Sequence, residues 1–286
     1  MTGHLLSFGH GYSAQALTEI LPKGWRVTGT TRSAEKATKL RQGGIAQVIW
    51  PGTDMAPLLA DATHLLISAG PGPGGDPVLA ELAQAIEKHA PRLAWVGYLS
   101  TTGVYGDHAG GWVDETTPLS PSTKRGQLRM EAEAAWQKLA RETGMTLQIF
   151  RLAGIYGPGR GPFAKVRNGT ARRIIKQGQV FSRIHVEDIA QVLLASINAP
   201  RAGAVYNLCD DDPAPPEDVI AYAAQLLGLP IPEAVAFETA DMTPMARSFY
   251  AESKKVRNDL IKSELGVQLR YPDYRTGLKA LLASSK

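Results

Sequence analysis

Six residues near the start of the chain fix more of its architecture than any other segment. Gly9-His10-Gly11-Tyr12-Ser13-Ala14 reads as G-x-G-x-x-A, directly after an apolar run at His4–Phe8 and opening an amphipathic stretch at Ser13–Leu21. In such a strand–turn–helix the first glycine makes the tight turn and the second lets backbone approach a pyrophosphate. The small Ala14 allows close helix–strand packing, and the helix N-terminus faces the anion. The motif therefore predicts a dinucleotide site, with Gly9, Gly11, Tyr12 and Ser13 around the cofactor.

The rest of the first half agrees with that start. Short apolar runs follow at Trp25–Thr30, Ala46–Trp50, His64–Ala69, Leu93–Leu99 and Thr146–Leu152, separated by helical patterns at Ala34–Gln42, Pro77–His89 and Lys124–Thr143. Strands alternating with helices predict a parallel sheet covered on both faces, the α/β doubly wound fold of Rossmann type. Residues 1–152 are read as the dinucleotide-binding domain. Residues 153–286 are read mainly as a smaller C-terminal α/β substrate lobe, with about 180–208 returning to the sheet. In that second part the patterns predict helices at Ala164–Gln177, Glu187–Asn198 and Glu217–Leu227 and a strand at Ala204–Leu208, with amphipathic stretches at Lys254–Leu265 and Tyr274–Leu282.

Compartment and partners come from simple counts. One cysteine, Cys209, excludes an internal disulfide framework and fits a reducing compartment. No basic run precedes the first apolar stretch, and no window approaches the roughly 18 apolar residues of a membrane span. A cytoplasmic protein with no membrane partner is expected. The formal net charge of +4 is too small an excess to imply nucleic acid by itself.

The second strand bears on cofactor choice. A carboxylate at its end normally holds the ribose 2′-hydroxyl of NAD. Here the end reads Gly29-Thr30-Thr31-Arg32-Ser33. With no acid and one arginine, NADP(H) is favoured over NAD(H), a guanidinium being suited to a 2′-phosphate. The alternative is that Arg32 is a solvated residue at a helix start.

Several spaced segments then resemble the extended short-chain dehydrogenase/reductases, the NAD(P)-dependent epimerase/dehydratase superfamily. They are the glycine turn, Leu99-Ser100-Thr101-Thr102-Gly103-Val104-Tyr105-Gly106, Glu115 with Pro118, Phe150-Arg151-Leu152-Ala153-Gly154-Ile155-Tyr156-Gly157-Pro158-Gly159, Arg183-Ile184-His185-Val186-Glu187-Asp188-Ile189-Ala190 and Val205-Tyr206-Asn207-Leu208. The resemblance spans nearly the whole chain and implies an NAD(P)-dependent oxidoreductase, epimerase or dehydratase. Ala69, Gly70, Ser100 and Ala153, at the ends of the sheet strands, complete the expected cofactor-binding set.

The resemblance breaks where the chemistry lies. The family uses a Ser/Thr with a Tyr and a Lys four apart on one helix face, the lysine lowering the phenol's pKa for proton exchange. Thr101 falls at the Ser/Thr position. Counted back from Glu133, the tyrosine position holds Arg125 and the lysine position Arg129. Arginine neither gives nor takes protons near neutrality. This departure resembles the atypical members, which keep the fold without the pair. Two arginines on one face can hold an anion, or can be a solvated face. His185 is a candidate proton donor, against a scaffolding role. One tyrosine does have a lysine four residues later, in Tyr250-Ala251-Glu252-Ser253-Lys254, but far downstream of the family's catalytic helix, and it is set aside.

Between Gly157 and Gly178 lie Arg160, Lys165, Arg167, Arg172, Arg173 and Lys176 with no acid. They are a positive cleft wall or a solvated basic face. Phe163 is the stretch's one aromatic, so no stacking platform for nucleic acid is visible. The residues point to NAD(P)-dependent chemistry on a small anionic or sugar-like molecule, with Thr101, Arg125, Arg129 and His185 as the catalytic candidates. No metal site is expected, and oligomeric state is left open. The missing acid/base pair keeps a second reading in view, a non-catalytic NADP(H)-binding sensor or regulatory protein.

Overall fold

Along each central strand the buried side chains divide between two faces, and that division generates the architecture. Leu6, Phe8, Leu65, Ile67, Val96, Tyr98, Leu147 and Ile149 join one apolar cluster, while Leu5, Leu66, Trp95, Leu99, Phe150 and Leu152 join another. Because successive side chains in a strand point to opposite faces, a strand apolar at every position must be covered on both sides. The computed structural model describes residues 2–42 and 44–284.

Five strands, β1 (His4–Phe8), β2 (Arg26–Thr31), β3 (Ala46–Ile49), β4 (His64–Ile67) and β5 (Trp95–Thr101), combine with Leu147–Leu152 and Val205–Leu208. Among the described residues they form a seven-stranded, all-parallel sheet in the order Val205–Leu208, Leu147–Leu152, β5, β4, β1, β2, β3. The order reverses direction at β1, and ligands bind at such a switch point, beyond the strands' carboxyl ends. Helices α1 (Tyr12–Ile20) and Val186–Asn198 pack together over one face, contributing Leu17, Ile189 and Leu193 to its cluster. Ala56–Asp61, Pro77–His89 and Lys124–Thr143 cover the other with Leu59, Ile86 and Trp136. A third cluster of Tyr156, Phe163, Ala223, Tyr274 and Leu278 holds the C-terminal lobe.

The predicted strands and helices of the first half are all present, with ends shifted by at most two residues. The short helix Ala56–Asp61 was not foreseen. Two expectations for the lobe are corrected. Helix Ala164–Gln177 is in fact Phe163–Arg167 followed by a strand at Arg173–Ile175, because Gly169, at φ +65°, ends the helix. Lys254–Leu265 is a two-residue strand, Lys255–Val256, and a short helix, Asp259–Ser263. That strand pairs with Trp112–Val113, which ties the C-terminal lobe to the loop after β5.

Candidate active site

The glycine turn behaves as its sequence requires. Gly9 sits at φ +72°, and a Cβ there would lie 2.9 Å from the Ala69 backbone nitrogen, so only glycine fits. Its N–H donates to Thr30 Oγ1 (2.9 Å), pinning the turn to β2. Gly11 differs. A Cβ there would meet nothing nearer than Gly9 O at 3.6 Å, so the protein's own packing does not demand glycine. Gly11 caps α1 with no side-chain acceptor, leaving the first-turn N–H groups turned outward. An uncapped helix end beside a glycine with open space in front is a cradle for a pyrophosphate.

That cradle forms one end of a cleft of about 670 Å³, lined by Gly9, Gly11, Tyr12, Ser13, Ser100, Thr101, Arg125, Arg129 and Ala153 among others. Ser13 is buried, and Tyr12 donates its hydroxyl to Pro158 O (2.9 Å), bridging the turn to the lobe. Ala69 donates its N–H to Phe8 O (3.1 Å), while Gly70 is exposed with the Arg129 guanidinium close by. Ala153 is fixed by donating to Leu208 O (3.0 Å). Ser100 lines the cleft, but its hydroxyl is committed elsewhere, donating to Glu133 Oε1.

Glu133 belongs to a buried network beneath the cleft floor. It pairs with Arg151 (2.8 Å), both side chains being at most 5% exposed. Arg151 also donates to Tyr105 Oη (2.9 Å), and Tyr105 donates to Asn207 Oδ1 (2.7 Å). Burial pushes the Tyr105 phenol up to about 12. The Tyr of the V-Y-G segment is thus scaffolding, as is Tyr156, whose phenol burial also pushes up.

Thr101 ends β5 with its Oγ1 accepting the Gly103 N–H (3.1 Å). Its own hydrogen is left free to donate into the cleft. Beside it runs α5, Lys124–Thr143, labelled in chain order after the four helices Tyr12–Ile20, Ala34–Gln42, Ala56–Asp61 and Pro77–His89. Gly126 lets α5 approach this turn closely, since a Cβ there would lie 2.7 Å from Gly103 O. Arg125 and Arg129, on one face of α5, both reach the cleft. Their surroundings differ. Arg129 is half-buried and donates from Nη1 to Leu99 O (2.8 Å) and Tyr98 Oη (3.0 Å). Arg125 is exposed and lies over the Phe249 ring (4.6 Å). Neither forms an ion pair with a carboxylate among the described residues.

The other candidates are placed apart. His185, expected as a possible proton donor, is 1% exposed and does not line the cleft, which corrects that assignment. It caps the helix Val186–Asn198, its Nδ1 accepting the Glu187 N–H (3.2 Å), and its ring packs on Tyr156 and Tyr271. Burial lowers its pKa to about 4, so near neutrality the ring is the neutral imidazole and not the imidazolium acid. Of the basic run between Gly157 and Gly178, Arg160 alone lines the cleft. Lys176 donates to Tyr250 O and Arg172 to Asp241 O, as a basic outer face would. Tyr250 packs on Phe181 and Phe237 and stays outside the cleft. The sequence reading missed Phe249, Glu252 and Lys254, which the C-terminal lobe brings to the cleft lining. Only the Tyr250–Lys254 spacing hinted at them. No group of metal-ligating side chains occurs among the described residues, and no helix there is long and apolar enough to cross a membrane.

With this geometry established, the comparisons bear directly on the fold and the turn. The sequence profile described as the NAD dependent epimerase/dehydratase family matches residues 78–209. Protein YeeZ of Escherichia coli (strain K12) is 31% identical over 265 residues, covering 88% of this chain and 89% of that protein. The chain belongs to the NAD dependent epimerase/dehydratase family. A functionally unknown conserved protein from Silicibacter pomeroyi DSS is 61% identical, with a TM-score of 0.95 and 99% of each chain covered. UDP-glucuronic acid 4-epimerase from Bacillus cereus, in complex with UDP-glucuronic acid and NAD, superposes with a TM-score of 0.80 at 16% identity, covering 99% of this chain and 100% of that one. At that identity the likeness speaks for the epimerase/dehydratase fold.

One expectation is overturned. The similar structures whose cofactor is named hold NAD, not NADP. Arg32, the residue behind the NADP(H) preference, is exposed and lies outside the cleft lining. A lone arginine in water at a strand end is a solvated residue, and the missing acid beside it does not by itself select the phosphorylated cofactor.

Proposed function

We propose that this protein is an NAD(H)-dependent oxidoreductase or epimerase acting on an anionic, sugar-like substrate, of which a sugar nucleotide bearing a uronic acid is the test case. Arg125 and Arg129, unneutralised in the same cleft as Thr101, are the observation that carries this reading. Two guanidinium groups four apart repel each other, and an anionic substrate group relieves that repulsion through charge-assisted hydrogen bonds. The relatives' sugar-nucleotide ligands, UDP-glucose and UDP-glucuronic acid, are of the same anionic class.

In this reading Gly9–Ala14 holds the pyrophosphate of the cofactor, which supplies hydride exchange when bound. Thr101 donates its free hydrogen to the substrate oxygen at the reacting carbon. Arg125 takes the substrate's negative charge, its planar group backed by Phe249. Arg129, with Nη1 already used on Leu99 and Tyr98, presents its other amino group toward Gly70 and the cofactor side. The free, fully buried Cys209 suits the reducing interior of a cell, the cytoplasm being the expected setting.

The test is direct. Purified protein with NAD⁺ is offered UDP-glucuronic acid, UDP-glucose and free glucuronate, and sugar products are followed by NMR with NADH by absorbance. Turnover of an anionic sugar that falls at least 100-fold in Thr101→Ala supports the reading. Binding of NAD(H) without turnover of any sugar contradicts it and favours a sensing role.

A further inference from the structure

The family's tyrosine and lysine positions hold arginines, so a proton must come from elsewhere if the cleft is to exchange one with a substrate oxygen. Among its lining residues Glu252 is the one carboxylate and Lys254 the one lysine. The two are paired, Lys254 Nζ to Glu252 Oε2 at 2.7 Å, and each side chain is 10% exposed. Nζ donates also to Gly106 O (2.6 Å), at the end of the turn that Thr101 begins. Glu252 Oε1 accepts the Ser122 hydroxyl (2.7 Å), just before α5. The pair thus ties the C-terminal lobe to both sequence segments that carry the family's chemistry.

Its placement is rigid. The Ser253 N–H donates to Asp107 Oδ1 (2.7 Å), and the Ser253 carbonyl accepts from His108 and Gly110. Ser253 Oγ donates to Gly178 O (2.8 Å) and accepts from the Val180 N–H (3.1 Å), while Gln179 donates to Glu252 O (2.7 Å). The backbone around the pair is thus fastened on both sides, yet an ammonium has three donors and only two are engaged by protein. The third is left over at a residue lining the cleft, where Tyr156 turns its hydroxyl away to Asp273 O (3.5 Å). Tyr12 is spent on Pro158 O, and arginines do not exchange protons near neutrality.

We propose that Lys254, held in place by Glu252, is the acid/base residue of this protein in place of the absent tyrosine–lysine pair. The proposal rests on the functional reading above. In the reducing direction an Nζ–H bond breaks and the substrate's O–H bond forms as the carbonyl carbon takes hydride from NADH. The carbonyl is reduced, the cofactor oxidised, and a neutral amine remains beside Glu252 until solvent returns its proton. Glu252 is a positioning residue, and it acts through Lys254.

Protein labelled with ¹⁵N-lysine and loaded with NADH tests this with UDP-glucuronic acid as probe. One Nζ resonance should exchange slowly with solvent, be missing in Lys254→Arg, and shift when the probe binds. Lys254→Arg keeps the charge and should bind the probe within about threefold. Its hydride transfer should fall at least 100-fold, because arginine cannot exchange the proton. Glu252→Gln should speed exchange of the same resonance and lower turnover less. A Lys254 signal that ignores the bound probe, or Lys254→Arg turning over within threefold of the native rate, would overturn the assignment alone. No binding of any sugar nucleotide would overturn the functional reading together with it.

Discussion

Helix α5 carries charged groups at two places, with opposite fates. Toward its middle, Glu133 is buried with Arg151, and Ser100 and Tyr105 add further hydrogen bonds to the pair. One and two turns earlier, Arg129 and Arg125 reach a cleft with no carboxylate paired to either. A charge taken out of water is tolerated when it is paired and hydrogen-bonded. The inner cluster meets that condition from within the protein and needs no ligand. The outer cluster is left to solvent or a ligand. Burial and pairing, more than residue type, separate scaffold from site on this helix.

The strongest way to break the comparison is to open the inner pair. Glu133→Gln leaves the Arg151 cation buried without its counter-charge and should cost about 3–5 kcal/mol in urea unfolding. Arg125→Ala, at an exposed position, should stay within about 0.5 kcal/mol. Equal costs would mean that both clusters are structural. Next comes the glycine turn. Gly11→Asp should fold normally and lose NADH affinity by 100-fold or more in calorimetry, because its side chain occupies the pyrophosphate's space and repels it. Gly9→Ala should lose about 1–3 kcal/mol of stability as well, from its φ of +72° and the contact with Ala69. A Gly11→Asp variant that binds NADH normally would remove the turn from the cofactor site.

These contrasts also show how much of the molecule was legible in the sequence. The sheet was, because its central strands are short, largely apolar runs and the helices between them keep their own period. The near wall of the cleft was too, since Gly9, Gly11, Thr101, Arg125 and Arg129 all sit in segments of local, ordered pattern. Lys254 and Glu252 were not. Their positions depend on how the lobe folds back onto Asp107 and Gly178, through contacts 75 or more residues apart in sequence. His185 misled for a related reason, because an exposed and a buried histidine look alike until the Tyr156 and Tyr271 rings close over one of them.

A smaller effect sharpens the account of buried groups. Burial lowers His10, His64 and His185 to about 4, against about 6.5 in the unfolded chain. The unfolded state then binds more protons between those values, so stability is full above pH 6.5 and falls as the pH drops toward 4. By pH 5 each histidine contributes a loss of up to about 2 kcal/mol. His185→Asn, which keeps an acceptor at the helix cap, should flatten the pH dependence of urea unfolding over that range. An unchanged slope would place the loss in other groups. Smallest of all is Arg32→Ala, which should change NADH affinity by less than about twofold. A tenfold loss would return Arg32 to the cofactor site.

The central claim, that the outer arginines form an anion site, is tested most directly by titrating NADH-loaded protein with UDP-glucuronic acid and with UDP-glucose in a calorimeter. Charge-assisted hydrogen bonds are worth about 1.5–3 kcal/mol, so Arg125→Ala should weaken the uronic acid at least tenfold. NADH affinity should be unchanged. UDP-glucose, which lacks the carboxylate, should lose less. Unchanged affinity for UDP-glucuronic acid in both Arg125→Ala and Arg129→Ala, with the proteins folded, would contradict the account.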